Sequence, residues 1–379
     1  MAMVLNEEQV MLKDAASGFL AEKAPVAELR RLRDERDAAC YSVPLWKEMA
    51  EMGWAGIAIP EEFGGLGYGY TGLGIVLEEM GKNLSVSPLQ SSILVCATAV
   101  AHLGDAGQKE SLLPALASGE LTMALALQEG AHHAPHKTAL AAEKTDGGYR
   151  LNGRKVLVFD GHVADKLIVA ARTAGQAGDD DGLSLFLVDS KADGVEIERV
   201  VMVDSRNSSN ITLTDVAVSD ADLLGEAGQA YGPLQRVLDI ANVGLSAELL
   251  GLSIEAFERT LEYLKERKQF GVAIGSFQGL QHRAAEMYAQ LELARSIVLK
   301  ALQAVDSDAE DISTIASACK AKLCEVSQLV AAEAIQMHGG IGMTDEFDIG
   351  FYLKRAKVAQ QAYGDYSYHL DRFARLKEY

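Results

Sequence analysis

Between residues 121 and 232 the chain changes its hydrophobic rhythm, and this change restricts the possible folds more than any other feature. Val156-Leu157-Val158-Phe159, Leu167-Ile168-Val169-Ala170 and Leu183-Ser184-Leu185-Phe186-Leu187-Val188 are short runs rich in strand-forming residues. Val195-Glu196-Ile197-Glu198 and Ile211-Thr212-Leu213-Thr214-Asp215-Val216 alternate with period two, the spacing of half-buried strands. Asp146-Gly147-Gly148, Asn152-Gly153, Asp179-Asp180-Asp181-Gly182 and Asp193-Gly194 punctuate these runs as turns. The pattern predicts an antiparallel β-barrel or sandwich of roughly 100 residues.

Helical patterns flank this unit. Asn6 followed by Glu7, Glu8 and Gln9 has the form of a capping box with an acidic first turn. Helical segments are expected over 10–24, 43–52, 72–80 and 91–103, with Gly53, Gly64-Gly65 and Gly81 between them. After Gly232-Pro233, Leu280, Ala284, Met287, Leu291, Ala294 and Val298 recur at steps of four and three. Ile312, Ile315, Cys319, Leu323, Val326 and Val330 repeat that rhythm, as buried faces of long helices do. The expected class is α+β: an N-terminal helical domain over 1–120, a middle antiparallel β-barrel or sandwich over 121–232, and a C-terminal four-helix bundle over 233–379.

Composition narrows function by exclusion. A formal net charge of −19 argues against binding a phosphate backbone, so no nucleic-acid partner is expected. No uninterrupted apolar run approaches the roughly 20 residues that span a bilayer, and no membrane association is expected. The start, Met1-Ala2-Met3-Val4-Leu5-Asn6, lacks the basic-then-apolar order of a secretory leader. Cys40, Cys96, Cys319 and Cys324 are sparse, which fits reduced thiols packed as small hydrophobes in a cytoplasmic protein. Gly67-Tyr68-Gly69-Tyr70-Thr71-Gly72 matches G-x-G-x-x-G by letter, but no βαβ pattern surrounds it. His132, His133 and His136 lack a helical i,i+4 pair or a nearby carboxylate, so a loop is the simpler reading than a metal site.

Several local motifs, in order, resemble the acyl-CoA dehydrogenase family. Pro60-Glu61-Glu62-Phe63-Gly64-Gly65-Leu66-Gly67 is similar to its N-terminal signature. Asn152-Gly153-Arg154-Lys155, then Asp160-Gly161 and Ala164-Asp165, resemble its β-domain signature. Arg267-Lys268-Gln269-Phe270-Gly271, Phe277-Gln278 and Gln336-Met337-His338-Gly339-Gly340-Ile341-Gly342 resemble its C-terminal signatures. The resemblance implies an FAD enzyme that introduces an α,β double bond into an acyl-CoA and passes electrons to electron-transfer flavoprotein. It also implies a tetramer in which one subunit's C-terminal helices cover a neighbour's flavin.

By that resemblance Arg267, Phe270, Gln278, Gln336, Gly339 and Gly340 hold the ADP half of an FAD seated mainly in the neighbour. Arginine supplies a planar, bidentate cation for a diphosphate, and glycine lets backbone N–H groups approach closely. The plainer reading is that Arg267 caps one helix C-terminus and Gly339-Gly340 end another.

The catalytic half departs from the family pattern. The usual base is a glutamate before a glycine; here that position is Tyr363, before Gly364, and an ordinary phenol near pKa 10 is a poor base at neutral pH. The alternative family position, on the first helix of the bundle, is Ala241, followed by Asn242 where arginine is usual. Glu248 lies about 10 Å further along the same helix face and is one candidate for a repositioned base; Asp365 is the other. The structural alternatives are a buried Glu248 paired with a bundle arginine such as Arg295, and an Asp365 that caps a helix or is solvated.

Where the family has Thr-Glu-Pro, this chain has Gln128-Glu129-Gly130; Leu157 and Phe159 replace the tryptophan and threonine that flank the flavin ring. The pattern is similar to subunits of heteromeric steroid- or dicarboxyl-CoA dehydrogenases, in which the chain is either a dehydrogenase with a displaced base or a non-catalytic partner of a catalytic paralogous subunit. An aspartate at 363 would have pointed to the nitroalkane-oxidising branch, and Tyr363 counts against it.

Overall fold

The computed structural model describes residues 4–379; the first three residues, part of the segment read for a leader, lie outside the described residues. The chain forms two compact units. One takes in the chain up to Asp34, Tyr70–Val86 and Asn242–Tyr379, and the other Glu35–Gly69 and Ser87–Ala241.

The N-terminal third contributes helices to both units: α1 (Glu7–Lys23), α2 (Val26–Asp34), α3 (Val43–Glu51), α4 (Gly69–Asn83), a π-helical segment (Leu89–Ala97), α5 (Thr98–Leu103) and α6 (Ala106–Ala117). The capping box at α1 forms as expected: Asn6 Oδ1 accepts from Gln9 N at 2.8 Å, and Gln9 Oε1 accepts from Asn6 N at 3.0 Å. The helix expected over 91–103 is instead split, its first part wound as the wider π form.

The middle of the chain supplies β1 (Met123–Ala126), β2 (Ala141–Thr145), β3 (Gly148–Phe159), β4 (Lys166–Arg172), β5 (Leu183–Asp189), β6 (Val195–Val201), β7 (Asn207–Ser219) and β8 (Leu223–Leu224). Every strand expected from the sequence is present. They make one sheet ordered β6-β7-β3-β2-β4-β5-β8, with β1 beside β4. The sheet is an open path with β6 and β8 at its ends, and β1–β4 and β2–β4 pair parallel, so neither a closed barrel nor a wholly antiparallel sheet describes it. Leu151, Val158, Leu167, Val169, Phe186, Ile211 and Leu213 form its buried face.

The remaining helices are α7 (Tyr231–Glu266), then a hairpin of β9 (Lys268–Gln269) and β10 (Val272–Ala273), α8 (Gln278–Asp306), α9 (Ile312–His338), α10 (Ile349–Gln361) and α11 (Tyr366–Leu376). The apolar stripes expected on α8 and α9 are buried, apart from half-buried Leu280 and Ile315 at their starts. All four cysteines are free and buried. By length and composition α7 is apolar enough to cross a membrane, but its most apolar stretch is wholly buried inside the protein.

Helices α4 and α7 meet backbone to backbone. A Cβ on Gly251 would lie 1.8 Å from Glu78 O, and one on Gly81 would lie 2.3 Å from Glu248 O. Glycine is needed at both positions because a methyl group would fall on main-chain atoms that have no rotamer to change. At the start of α4, Asp306 accepts from Tyr70 N at 2.6 Å and from Thr71 N at 3.0 Å. The carboxylate of α8 thus fills the helix terminus beside the letter-match to a phosphate loop. Gly251→Ala is expected to destabilise the protein by about 3 kcal/mol, from overpacking against fixed backbone. A urea unfolding midpoint measured beside wild type checks this.

Candidate functional site

Two segments far apart in sequence are joined at one end of the helical unit. Tyr263, on the last turn of α7, stacks on His338, the last residue of α9, with centroids 4.4 Å apart and planes at 28°. Phe347 closes the cluster, 5.0 Å from His338 and 6.2 Å from Tyr263. His338 is buried; its Nδ1 donates to Ala334 O at 2.7 Å, and burial holds the imidazole below its ordinary pKa. The stack ties the end of α7, just before Arg267, to the end of α9, just before Gly339.

All six residues expected to contact a dinucleotide lie exposed on this unit: Arg267, Phe270, Gln278, Gln336, Gly339 and Gly340. Phe270 is 93% exposed, at positive φ, and touches Phe277 edge to face at 6.2 Å. Ile274 N donates to Arg267 O at 2.8 Å, which closes the hairpin strap that leads into α8 and Gln278. Gly339 ends α9 at φ +65, and a Cβ on Gly339 or Gly340 would meet nothing within 4 Å. The Gly339 N–H closes α9 onto Gln336 O and Ile335 O, and the missing side chains leave room for a group to approach the main chain closely. Gly339 does end α9, whereas among the described residues no hydrogen bond of the Arg267 side chain caps α7, and the face is exposed, cationic and aromatic.

The candidate bases occupy different surroundings. Glu248 is buried in α7 and makes a two-pronged ion pair with Arg355 of α10, at 2.9 Å to Nε and 2.6 Å to Nη2. The partner is not Arg295, which is exposed and lies 3.6 Å from Glu292. Asp365 is the N-cap of α11, its Oδ1 accepting from Tyr368 N at 2.8 Å. Tyr363 sits between α10 and α11 at φ +54, and its carbonyl accepts from Asn242 Nδ2 and from His369 Nε2, each at 3.2 Å.

On the sheet unit, Leu157 falls in an irregularity of the β3–β7 register, at φ +52 and 37% exposed, while Phe159 is half-buried. Glu129 anchors the loop after β1. Its carboxylate accepts from Ala139 N at 2.8 Å, Leu140 N at 3.0 Å and Lys155 Nζ at 2.6 Å. Lys155 is fully buried, and desolvation brings its pKa down to about 8 against the opposing pull of Glu129. Arg172 pins the same loop, donating to His136 O at 2.8 Å and Thr138 O at 3.2 Å, and also to Asp179 O and Asp181 O. The histidine-rich segment is therefore a loop held at its base.

Sequence reasoning did not single out Lys320, Arg172 or the Lys155–Glu129 pair. The available signal was a cationic residue within an apolar helix or strand face, where an unpaired charge is too costly to be accidental.

The family model described as acyl-CoA dehydrogenase, N-terminal domain, matches residues 6–120; those for the middle and C-terminal domains match 126–216 and 233–376. The chain is 33% identical over 367 residues to the mitochondrial isovaleryl-CoA dehydrogenase of Arabidopsis thaliana, covering 94% of this chain and 88% of that protein. Among solved structures, it superposes on a variant of the Tcur3481–Tcur3483 steroid ACAD with a TM-score of 0.88 and 31% identity, covering 98% of each chain. Butyryl-CoA dehydrogenase from Megasphaera elsdenii gives a TM-score of 0.91 at 26% identity, covering 100% of each.

Glu248→Gln is expected to destabilise the protein by about 3 kcal/mol, because Arg355 is left as an uncompensated buried cation. Denaturant unfolding tests this; a change near zero would mean that the pair carries no stability. Lys320, fully buried in α9, also has its pKa brought down to about 8 by desolvation. Between about pH 8 and the unfolded value of 10.5 the unfolded chain binds more protons at this residue, so its contribution to stability rises with pH across that window. The stability of wild type relative to Lys320→Met should accordingly increase from pH 8 to 10.5, measured by unfolding at fixed ionic strength.

Proposed function

The chain belongs to the acyl-CoA dehydrogenase family, and on that footing we propose that it is a subunit of an FAD-dependent acyl-CoA dehydrogenase acting within a heteromeric tetramer. Its reaction is the α,β-dehydrogenation of an acyl-CoA thioester, with electrons passed to electron-transfer flavoprotein. In this reading residues 1–120, 121–232 and 233–379 act as three domains, the last built on a four-helix bundle. The observation that carries the proposal is the aromatic stack of Tyr263, His338 and Phe347, which joins two exposed motif segments into one face.

That face fits the ADP end of FAD. Arg267 offers two parallel N–H donors to a diphosphate, Gln278 and Gln336 offer amides, and Gly339 and Gly340 leave room for close approach to the main chain. Phe270 presents its ring to an adenine or flavin surface. FAD, when bound, supplies the acceptor for the β-hydride. Residue 363 corresponds to the family's usual base position and borders the acyl thioester; here it is a tyrosine.

A second reading, favoured by the surroundings of the two carboxylates, is that this chain completes the FAD site of a catalytic paralogue and supplies no base itself. Glu248 is bound to Arg355 through both oxygens, and Asp365 caps α11. The steroid ACAD among the structural relatives supports a bulky acyl group and a two-subunit assembly.

Purified alone, the chain is expected to show weak flavin absorbance or none, and to turn yellow when co-expressed with its partner subunit. Arg267→Ala in that complex should weaken FAD binding by roughly 10- to 100-fold, the loss of a charge-assisted contact. A yellow homotetramer bleached by acyl-CoA would overturn the heteromeric reading. If Glu248→Gln and Asp365→Asn then each leave bleaching intact, neither is the base.

A further inference from the structure

Helix α9 carries a charge on its buried face. Lys320 is fully buried, yet its Nζ donates to Ala362 O at 2.7 Å, Gly364 O at 2.9 Å and Gln360 O at 3.4 Å. The Gln360 carbonyl is in the last turn of α10, and those of Ala362 and Gly364 belong to the stretch that joins α10 to α11. The carbonyl between those of Ala362 and Gly364, that of Tyr363, takes Asn242 Nδ2 from α7 and His369 Nε2 from α11. Three helices therefore hold four carbonyls within five consecutive residues.

Ending α10 does not require this much. A cation near a helix C-terminus satisfies one or two free carbonyls, and solvent or a glycine does so without burying a charge. Here the ammonium is desolvated and meets main-chain oxygens in place of a carboxylate. Such a group is retained at a cost that a buried methionine or leucine would avoid. The effect is to fix Tyr363 at φ +54, a left-handed conformation that disfavours a bulky residue by about 1 kcal/mol or more. Backbone held against that preference fixes the direction in which the Tyr363 side chain leaves the main chain.

We propose that Lys320 is a positioning residue for the acyl site: it fixes the Ala362–Gly364 turn and so sets the direction in which residue 363 meets the bound acyl thioester. The inference rests on the reading that position 363 borders the thioester, and the experiment separates the two. Lys320 touches no reacting atom; it acts through the turn.

The full chain, with FAD and any subunit that co-purifies, is labelled with 3-fluorotyrosine, and Tyr363→Phe identifies the Tyr363 signal among the 12 tyrosines. CoA thioesters of a short, a long and a steroid-side-chain acid serve as probes, with calorimetry scoring binding. In wild type the Tyr363 fluorine resonance should shift as a thioester binds. In Lys320→Met the thioester should still bind within about threefold, but the shift should be lost and the resonance broadened or split. An unchanged shift in Lys320→Met overturns the role of Lys320 and leaves the reading of position 363 standing. A thioester that binds wild type without moving the Tyr363 signal overturns that reading, as does failure of all three to bind. If Lys320→Met does not fold, Asn242→Ala decides: it removes one donor from the Tyr363 carbonyl and should reduce the shift, and an unchanged shift overturns the proposal.

Discussion

The helical unit depends on the crossing of α4 and α7, where Gly81 lies against Glu248 O and Gly251 against Glu78 O with no room for a side-chain atom. At that separation each glycine lies against the carbonyl of the partner helix, so the crossing point and rotation of both helices are set together. Glu248, whose own carbonyl is part of the contact, directs its carboxylate to Arg355. That pair holds α10, and the end of α10 sets the turn that Lys320 clasps. Asp306, at the far end of α8, fixes the start of α4 by its main-chain N–H groups. The arrangement around residue 363 thus follows from a glycine contact through one buried ion pair.

The sheet unit follows a similar logic with different parts. Lys155 and Arg172 are buried cations on strands, and their hydrogen bonds run into loops. Glu129 receives two main-chain N–H groups of the loop as well as Lys155 of β3, so its charge is matched from both sides. Asp160, just after Phe159, accepts from Ser91 Oγ at 2.6 Å, which ties the end of β3 to the π-helical segment. The backbone is irregular here: Leu157 and Asp160 both have positive φ, and the β3–β7 register shifts around Leu157. Strained strand ends persist only when their surroundings over-determine them, and these hydrogen bonds do so.

The parts of this architecture written as repeating patterns were legible in the sequence. The period-two runs became strands, and the stripes on α8 and α9 became buried faces, because one-sided burial leaves a periodic trace. The closure of the sheet was not legible. Whether the end strands pair depends on twist and stagger, which alternation does not encode, and the parallel entry of β1 beside β4 has no local signature. At the candidate site, the exposed motif segments were recognisable because their chemistry lies in short runs. The partners of Glu248 were not, because Arg355 is 107 positions away and becomes its neighbour only through the helix crossing. The same holds for Lys320, whose acceptors are main-chain atoms of residues that carry no matching side chain.

The environment of Glu248 also bears on what it can do. A catalytic base must take and release a proton in every turnover, so both protonation states must be tolerable in the fold. Protonating Glu248 would leave Arg355, itself buried, without its counter-charge, and a lone buried guanidinium costs several kcal/mol. The interaction that stabilises the α7–α10 contact therefore opposes proton transfer at the same carboxylate. Asp365 faces a milder conflict, since protonation would weaken its cap on α11. The exposed face around Arg267 and Gly339 carries no such conflict, because among the described residues no hydrogen bond or ion pair engages the Arg267 side chain. The division is physical: the interior charges are held by internal partners, and the exposed Arg267 side chain is not.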